Sequence, residues 1–409
     1  MMWFYIKLAW RNLFRNKRRT IIAGLAIGIG LASMILTDSI MIGMKDSMIG
    51  SATDSFLGEA QIHRNGFRLT QEAGLTINNL EDVVAGLKAE DAVENFTPRT
   101  TSFGMITSPA NFSAVMFVGI DPETERFLSK IDEAVQEGSY FEEDNERDIV
   151  IGSELAELLE IELGDRVVVT VAQAETGDLS QEMFRISGIY HFNIKEMDVG
   201  FAFVRLPKTQ EMLGIGSSVH EIAIKFKDMT FALEEDSPFW ERYSAFDNEA
   251  LSWTEIFPAL NLIFGMLGIT MVILGAILFG IVAFGIINTL FMSLYERLFE
   301  FGVIRAVGTR PGGVRKIVLF EAGSLSVVSI FMGTLIGLAL IFLFKKIGID
   351  YRGIEFAGTT ITEMLYPVFN IRQFIIYPLA TFLFTVLVGF YPAIVASKMS
   401  VSDALRKSM

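Results

Sequence analysis

The sequence predicts a membrane protein: four transmembrane α-helices in a one-plus-three layout, with a large α+β domain inserted between the first and the second. Three observations predict it. The 409 residues are 51% hydrophobic, and the apolar residues are gathered into four blocks instead of being spread along the chain. A run of about 18 or more residues with few charges is long enough to cross a bilayer. The charges are partitioned as sharply: residues 45–255 hold 16 Lys/Arg against 40 Asp/Glu, a net of −24, while the remainder holds 18 against 8, a net of +10. Between the first and second blocks, period-two alternation and turn residues replace the continuous apolar pattern, as a half-buried sheet requires.

Taken in order, residues 1–19 read as a cytoplasmic amphipathic helix lying in the membrane interface. Trp3, Ile6, Trp10, Leu13 and Phe14 recur at helical spacing, and Lys7, Arg11, Arg15 and Arg18 line another face. Residues 20–44 form the first span, an uncleaved anchor, because no small-residue cleavage site follows its apolar core. Residues 45–255 are the inserted domain. Within it, Asp148–Ile151 reads as a strand, Ser153–Leu159 as a short helix capped by Ser153, and Arg166–Val171 and Met183–Ile189 as a hairpin closed by "AETGDLSQ". Further strands are expected at Val115–Ile120, Gly200–Arg205 and Glu221–Phe226, a solvated acidic loop at "FEEDNERD", and an amphipathic lead-in to the second span at Leu233–Phe257. The second span is 256–294, a cytoplasmic loop follows at 295–316, and the third span is 317–344. A short outer loop at 345–372, a fourth span at 373–397 and a cytoplasmic tail at 398–409 complete the chain.

Topology follows from the flanking cations, which tend to stay in the cytoplasm. Lys7, Arg11, Arg15, Lys17, Arg18 and Arg19 place the N-terminus inside. Four crossings then put both termini in the cytoplasm and the acidic domain outside. Lys345, Lys346, Arg352 and Arg372 in the outer loop run against the rule and are outvoted.

The chemistry is chiefly one of exclusions. The chain has no cysteine, so disulfides and thiolate-ligated metals are ruled out. His63, His191 and His220 lie far apart, with no metal-binding spacing. The phrase "GTRPGGVRK" lacks the Gly-Lys-Ser/Thr of a phosphate-binding loop, and no Gly-Lys pair occurs anywhere in the chain. Asp38 and Glu321, acids near span ends, are read as structural and not as a proton path. The basic residues flank membrane spans and the whole is acidic, which argues against nucleic-acid binding.

"NTLFMSLYERLFEFGVIRAVGTRPGGVRKIVLFEAGSLSVV" and the ending "GFYPAIVASKMSVSDALRK" resemble the motifs of FtsX-like and macrolide-exporter-like ABC transporter permeases. Val401-Ser402-Asp403 stands where that family has Pro-x-Glu. The phrases "GSYFEEDNERDIVIGSELAELLEIELGDRVVV" and "FRISGIYHF" are similar to the family's periplasmic domain. The resemblance implies a bacterial inner-membrane permease that pairs with a second permease, as homo- or heterodimer, and binds a cytoplasmic ABC ATPase dimer. ATP and Mg would then sit on the ATPase, with no cofactor on this chain and no catalytic residue in it. Docking is implied through the loop between the second and third spans. Its residues suit that role: Leu298, Phe301, Val303, Ile304 and Val307 form an apolar strip, and Glu296, Arg297, Glu300, Arg305 and Arg310 rim it with charge. Gly302, Ala306 and Gly308 complete the expected coupling segment, the glycines allowing close approach or a bend, with Pro311-Gly312-Gly313 ending the helix.

A free permease of this length with this outer domain most resembles the lipoprotein-releasing permeases. That implies an acylated or otherwise amphiphilic substrate, and a periplasmic chaperone or adaptor as a further partner. Substrate acyl chains would then meet Ile40, Met41, Met44, Phe257, Leu260, Ile263, Phe264 and Tyr366. Two other roles remain open: a tripartite exporter of peptides or antibiotics working with an adaptor, and a transmembrane regulator of a cell-wall hydrolase.

Overall fold

The computed structural model describes residues 2–141, 145–192, 194–351, 355–356, 359–360 and 364–398. The expected tail at 398–409 therefore lies almost wholly outside the described residues, as do residues 352–354, 357–358 and 361–363 of the outer loop and part of the acidic run. The chain divides into a helical unit (residues 1–46, 264–350 and 365–409) and a sheet unit (47–263 and 351–364).

Six helices serve the helical unit: α1 (Met2–Leu13), α2 (Lys17–Ala52), α3 (Pro258–Glu296), α4 (Leu298–Ala306), α5 (Pro311–Ile347) and α6 (Gln373–Lys398). Of these, α2, α3, α5 and α6 are long and apolar enough to cross a membrane. A span needs about 20 helical residues, so α2, α3 and α5 carry several further turns beyond it.

Without a hydrophobic drive between helices in lipid, close packing depends on small residues. Gly28 of α2 meets Gly333 of α5 so closely that a Cβ added at Gly333 would lie 2.6 Å from the Gly28 carbonyl oxygen. Gly337 packs on Ala32 and Ile35, and Gly389 of α6 faces Ala322. Polar groups also pair across helices: the buried Ser39 hydroxyl donates to Gln373 Oε1 at 2.9 Å, and the half-buried Tyr377 hydroxyl to Asp38.

Two expectations change here. Ala9 and Leu13 of α1 are buried within the protein, while Trp3, Lys7, Trp10 and Arg11 share the exposed side. The apolar face of this helix thus packs against its own bundle, with Leu8 in the cluster of Leu294, Val314 and Ala393. In addition, Pro311-Gly312-Gly313 opens α5 instead of closing α4. Arg310 is the extended N-cap and Pro311 takes the first helical position, where its missing N–H is no loss.

Among the described residues, the main sheet of this unit has ten strands: β1 (Ala60–Arg64), β2 (Val93–Thr107), β3 (Phe112–Ile120), β4 (Val135–Gly138), β5 (Asp148–Gly152), β6 (Arg166–Ala172), β7 (Leu179–Tyr190), β8 (Phe201–Arg205), β9 (Glu221–Phe226) and β10 (Asn248–Ser252). Pairing runs β2–β3–β8–β5–β7–β6 and returns to β2, a closed circuit of six strands. Its interior takes one face of each strand: Ile106, Val115, Phe117, Ile149, Ile151, Val167, Val169, Phe184, Ile186 and Val204 are all essentially inaccessible. The 15-residue β2 serves two partners along one edge. Gly104–Thr107 pair with β6, whereas Val93–Arg99 pair with β9, which continues through β1 to β10.

Two further corrections belong to this unit. Ser153 is the first residue of its helix, and Gly152 is the cap. The lead-in at Leu233–Phe257 is not one amphipathic helix: it breaks into a turn, a helix at Pro238–Tyr243, edge strand β10 and a short helix at Trp253–Ile256.

Where β2 crosses from one partner to the other lies a buried ionic cluster. Arg99 donates to both Glu125 oxygens at 2.9 and 2.6 Å, and to Glu221, its cross-strand neighbour on β9, at 2.7 Å. The Phe56 ring lies 4.0 Å below the guanidinium, and His63 donates to the second Glu221 oxygen at 3.4 Å. Burial opposes the charge on Glu221, but His63 and Arg99 outweigh it and hold the carboxyl below its usual range.

Candidate coupling site

The helix of the second span ends at Glu296, and one residue, Arg297, separates it from α4; the backbone of Arg297 leaves the helical region there. The side chain of this corner residue is only 5% exposed. It donates from Nη1 to Glu321 Oε2 of α5 at 3.0 Å and from Nε to Glu300 Oε2 of α4 at 2.9 Å, and it lies over the Phe301 ring. The second Glu321 oxygen accepts from Ser293 at 2.6 Å. A buried guanidinium and a buried carboxylate thus satisfy each other, the condition under which such charges are tolerated.

The outer oxygen of Glu300 accepts from Arg15 at 2.6 Å, and Glu296 accepts from Arg19 at 2.5 Å. Burial pushes the Glu300 carboxyl up, but hydrogen bonds from Arg15 and Arg297 prevail and hold it below the ordinary carboxylate range. Both ends of α4 are fastened to the bundle. Leu298 and Phe301 join Leu294, Val314, Ile317 and Ala393 in one apolar cluster, and at the far end Arg305 reaches the Ser397 carbonyl of α6 at 3.5 Å. After Val307, Gly308 adopts φ +104° and releases the chain toward α5, a conformation that favours glycine.

This arrangement sorts the residues expected from sequence. Arg297, Phe301 and Gly302 face inward, Glu296 and Glu300 are engaged by cations of the same chain, and Ile304 and Arg305 are half-buried. Ala306, Val307, Gly308 and Arg310 are exposed. The apolar stripe open to a partner is Phe299, Val303, Ala306 and Val307, at spacings of four, three and one. Phe299, 50% exposed, escaped the sequence reading, as did the roles of Arg15 and Arg19.

Of the residues expected to meet substrate, Ile40, Met41, Met44 and Ile263 are half-buried, and Phe257 is 39% exposed. Leu260 and Phe264 are buried, at 5% and 9% exposure; the Lys45 ammonium lies 5.2 Å from the Phe264 ring. Tyr366 is half-exposed, and its carbonyl oxygen lies where a Cβ on Gly43 would be, so only glycine fits there. Ser153 and Asp198 both approach Nδ1 of His191, at 2.8 and 3.2 Å, so the ring cannot relay a proton between them. Among the described residues no cluster of His, Asp or Glu could hold a metal.

Comparison with known proteins bears on the whole chain. Residues 20–232, just over half of it, match the MacB-like periplasmic core domain, and residues 271–401 match the FtsX-like permease C-terminal domain. The chain is 21% identical over 393 residues to the lipoprotein-releasing system transmembrane protein LolC of Xylella fastidiosa strain Temecula1, covering 93% of this chain and 92% of that one. It is 22% identical to LolC of Neisseria meningitidis serogroup B, covering 81% and 78%. It is 25% identical to the pyoverdine export ATP-binding/permease protein PvdT of Pseudomonas syringae pv. syringae, covering 86% of this chain but 54% of that one. Among solved structures, the periplasmic region of MacB from Actinobacillus actinomycetemcomitans aligns at 14% identity and TM-score 0.33, covering 49% and 92%. With both family domains matched in their expected places, the chain belongs to the MacB-like, FtsX-like family of ABC transporter permeases.

Proposed function

We propose that this permease couples ATP hydrolysis on a separate cytoplasmic ATPase to the release of lipoproteins from the outer leaflet of the inner membrane. The observation that carries the coupling is the stripe Phe299–Val303–Ala306–Val307, held outward by the Arg297–Glu321 pair and the Arg15 and Arg19 bridges. Apolar residues at i, i+4, i+7 and i+8 of a short rigid helix fit a groove on a partner, and binding there loses little conformational entropy. ATP and Mg belong to that ATPase, and a second permease completes the assembly. Both termini lie in the cytoplasm, and the sheet unit lies in the periplasm.

The lipoprotein substrate is supported by the two LolC relatives, one matching over 93% of this chain and the other over 81%. Depletion of the permease should leave acylated proteins in the inner membrane, as followed by pulse labelling and membrane fractionation. Normal lipoprotein sorting after full depletion would refute the assignment. The match to PvdT favours a second reading, export of a soluble amphiphile. In that case a periplasmic adaptor would co-purify with the complex and lipoprotein sorting would be unaffected.

A further inference from the structure

Among the described residues, the carboxylates near α1 and α4 are few, and all are committed. Residues 1–19 contain none, and residues 295–316 contain only Glu296 and Glu300. Arg19 takes the first; Arg15 and Arg297 take the second. The neighbouring Glu321 is taken by Arg297 and Ser293. Lys7 and Arg11 remain exposed, with no ion pair among the described residues.

Their position on α1 is informative. At 3.6 residues per turn, Trp3, Lys7, Trp10 and Arg11 fall within roughly a 100° arc, while Ala9 and Leu13 on the other side are buried in the bundle. A face that interleaves two tryptophans with two cations suits neither a protein core nor bulk water. Tryptophan settles at headgroup depth, and adjacent cations then meet lipid phosphates. Since the neighbouring carboxylates among the described residues are used up, a complementary charge for this face is best supplied from outside them.

We propose that this face binds anionic phospholipid headgroups, and that the bound lipid steadies the coupling helix. The route is short: lipid holds α1, and the segment that follows carries Arg15 to Glu300 and Arg19 to Glu296. The binding claim stands on α1 alone; its consequence for transport rests on α4 being the docking helix.

The test uses the purified full-length permease, equilibrated with vesicles of equal parts phosphatidylglycerol and phosphatidylcholine, with retained lipid counted by native mass spectrometry. The wild type should retain phosphatidylglycerol preferentially. Lys7→Gln/Arg11→Gln should lose the preference, by about fivefold for each cation near an anionic surface. Lys7→Arg/Arg11→Lys should keep it. Hydrogen exchange of Leu298–Ala306 in nanodiscs, read without any ATPase, should slow when phosphatidylglycerol replaces phosphatidylcholine, and should cease to respond in the Gln variant. Equal retention of the two lipids by the wild type, unchanged preference in the Gln variant, or lost preference in the charge-conserving variant would each overturn the proposal. Failure of ATPase docking would leave these readouts untouched and would count against the coupling assignment alone.

Discussion

Val307→Asp should strongly weaken ATPase docking while leaving the permease folded. Val307 is 84% exposed, Phe299 50% and Val303 39%, and none of the three belongs to an internal apolar cluster. Full burial of such side chains is worth about 1.5–3 kcal/mol each, so the exposed fractions alone leave roughly 3 kcal/mol to be gained by covering the stripe. That corresponds to about a 200-fold change in Kd. An aspartate at 307 forfeits about 1 kcal/mol of this and brings a carboxylate into an apolar groove, at about 1–3 kcal/mol more. Docking should weaken by roughly 30-fold to 1000-fold. The assay is titration of the co-purifying ATPase, fluorescently labelled, onto permease in nanodiscs, with Phe301→Ala as the contrast. Phe301 is buried among Leu294, Val314 and Ala393, so its truncation should lower the Tm of the permease itself, by a folding loss of about 3–5 kcal/mol. A wild-type Kd for Val307→Asp would refute the assignment of the outward stripe. A lost Kd with unchanged Tm for Phe301→Ala would restore the inward residues as the contact.

Three other outcomes follow from the sheet and the bundle. Arg99→Met strands two buried carboxylates and should cost about 3–5 kcal/mol, whereas adding Glu125→Gln and Glu221→Gln should recover most of it; circular dichroism melts of the purified protein decide, and failure of the recovery would deny that charge is the cause. His220 accepts from Thr101 N–H at Nδ1 and donates from Nε2 to the Ala73 carbonyl, a neutral tautomer, and burial holds its pKa below the usual imidazole value. Its stabilising contribution is therefore complete above about pH 6.5 and declines as pH falls below that value, because the unfolded chain takes the proton first; His220→Gln should flatten this part of the stability–pH curve measured by denaturant titration. Gly333→Val should force α2 and α5 apart at Gly28 and sharply lower the yield of folded protein on size-exclusion chromatography, while Gly280→Ala, which meets nothing within 4 Å, should be neutral by the same measure.

Much of the fold was legible because its signals are local. The hairpin of β6 and β7 shows its alternation and its turn within one short stretch, and β9 is bounded as its pattern suggests. Strands β1 and β10 were missed for a physical reason. Each is five residues long; β1 is a strand only because of β9 and β10, and β10 only because of β1, partners some 160–190 residues away in each case. The segment containing β10 even carries helix-like spacing, which tertiary pairing overrides. The segment between the second and third spans was equally visible as charge set between apolar blocks. Its facing was not, since 298, 301, 304 and 307 fit a helix as well as 299, 303, 306 and 307 do. The choice is made by partners distant in the chain: Glu321 pulls Arg297 inward, and Arg15 reaches Glu300 from 285 positions away.

The single-residue corner at Arg297 has a bearing on how force passes through the bundle. A buried charge-assisted bond of 3.0 Å has almost no elastic range: lengthening by an ångström breaks it and leaves two charges without solvent. A push on α4 therefore cannot be absorbed gradually at its junction with α3. Below a threshold, α3, α4 and α5 move as one piece; above it, the corner gives way and a new arrangement must rehouse both Arg297 and Glu321. Such a joint converts a graded load into a discrete step, the behaviour of a two-state element.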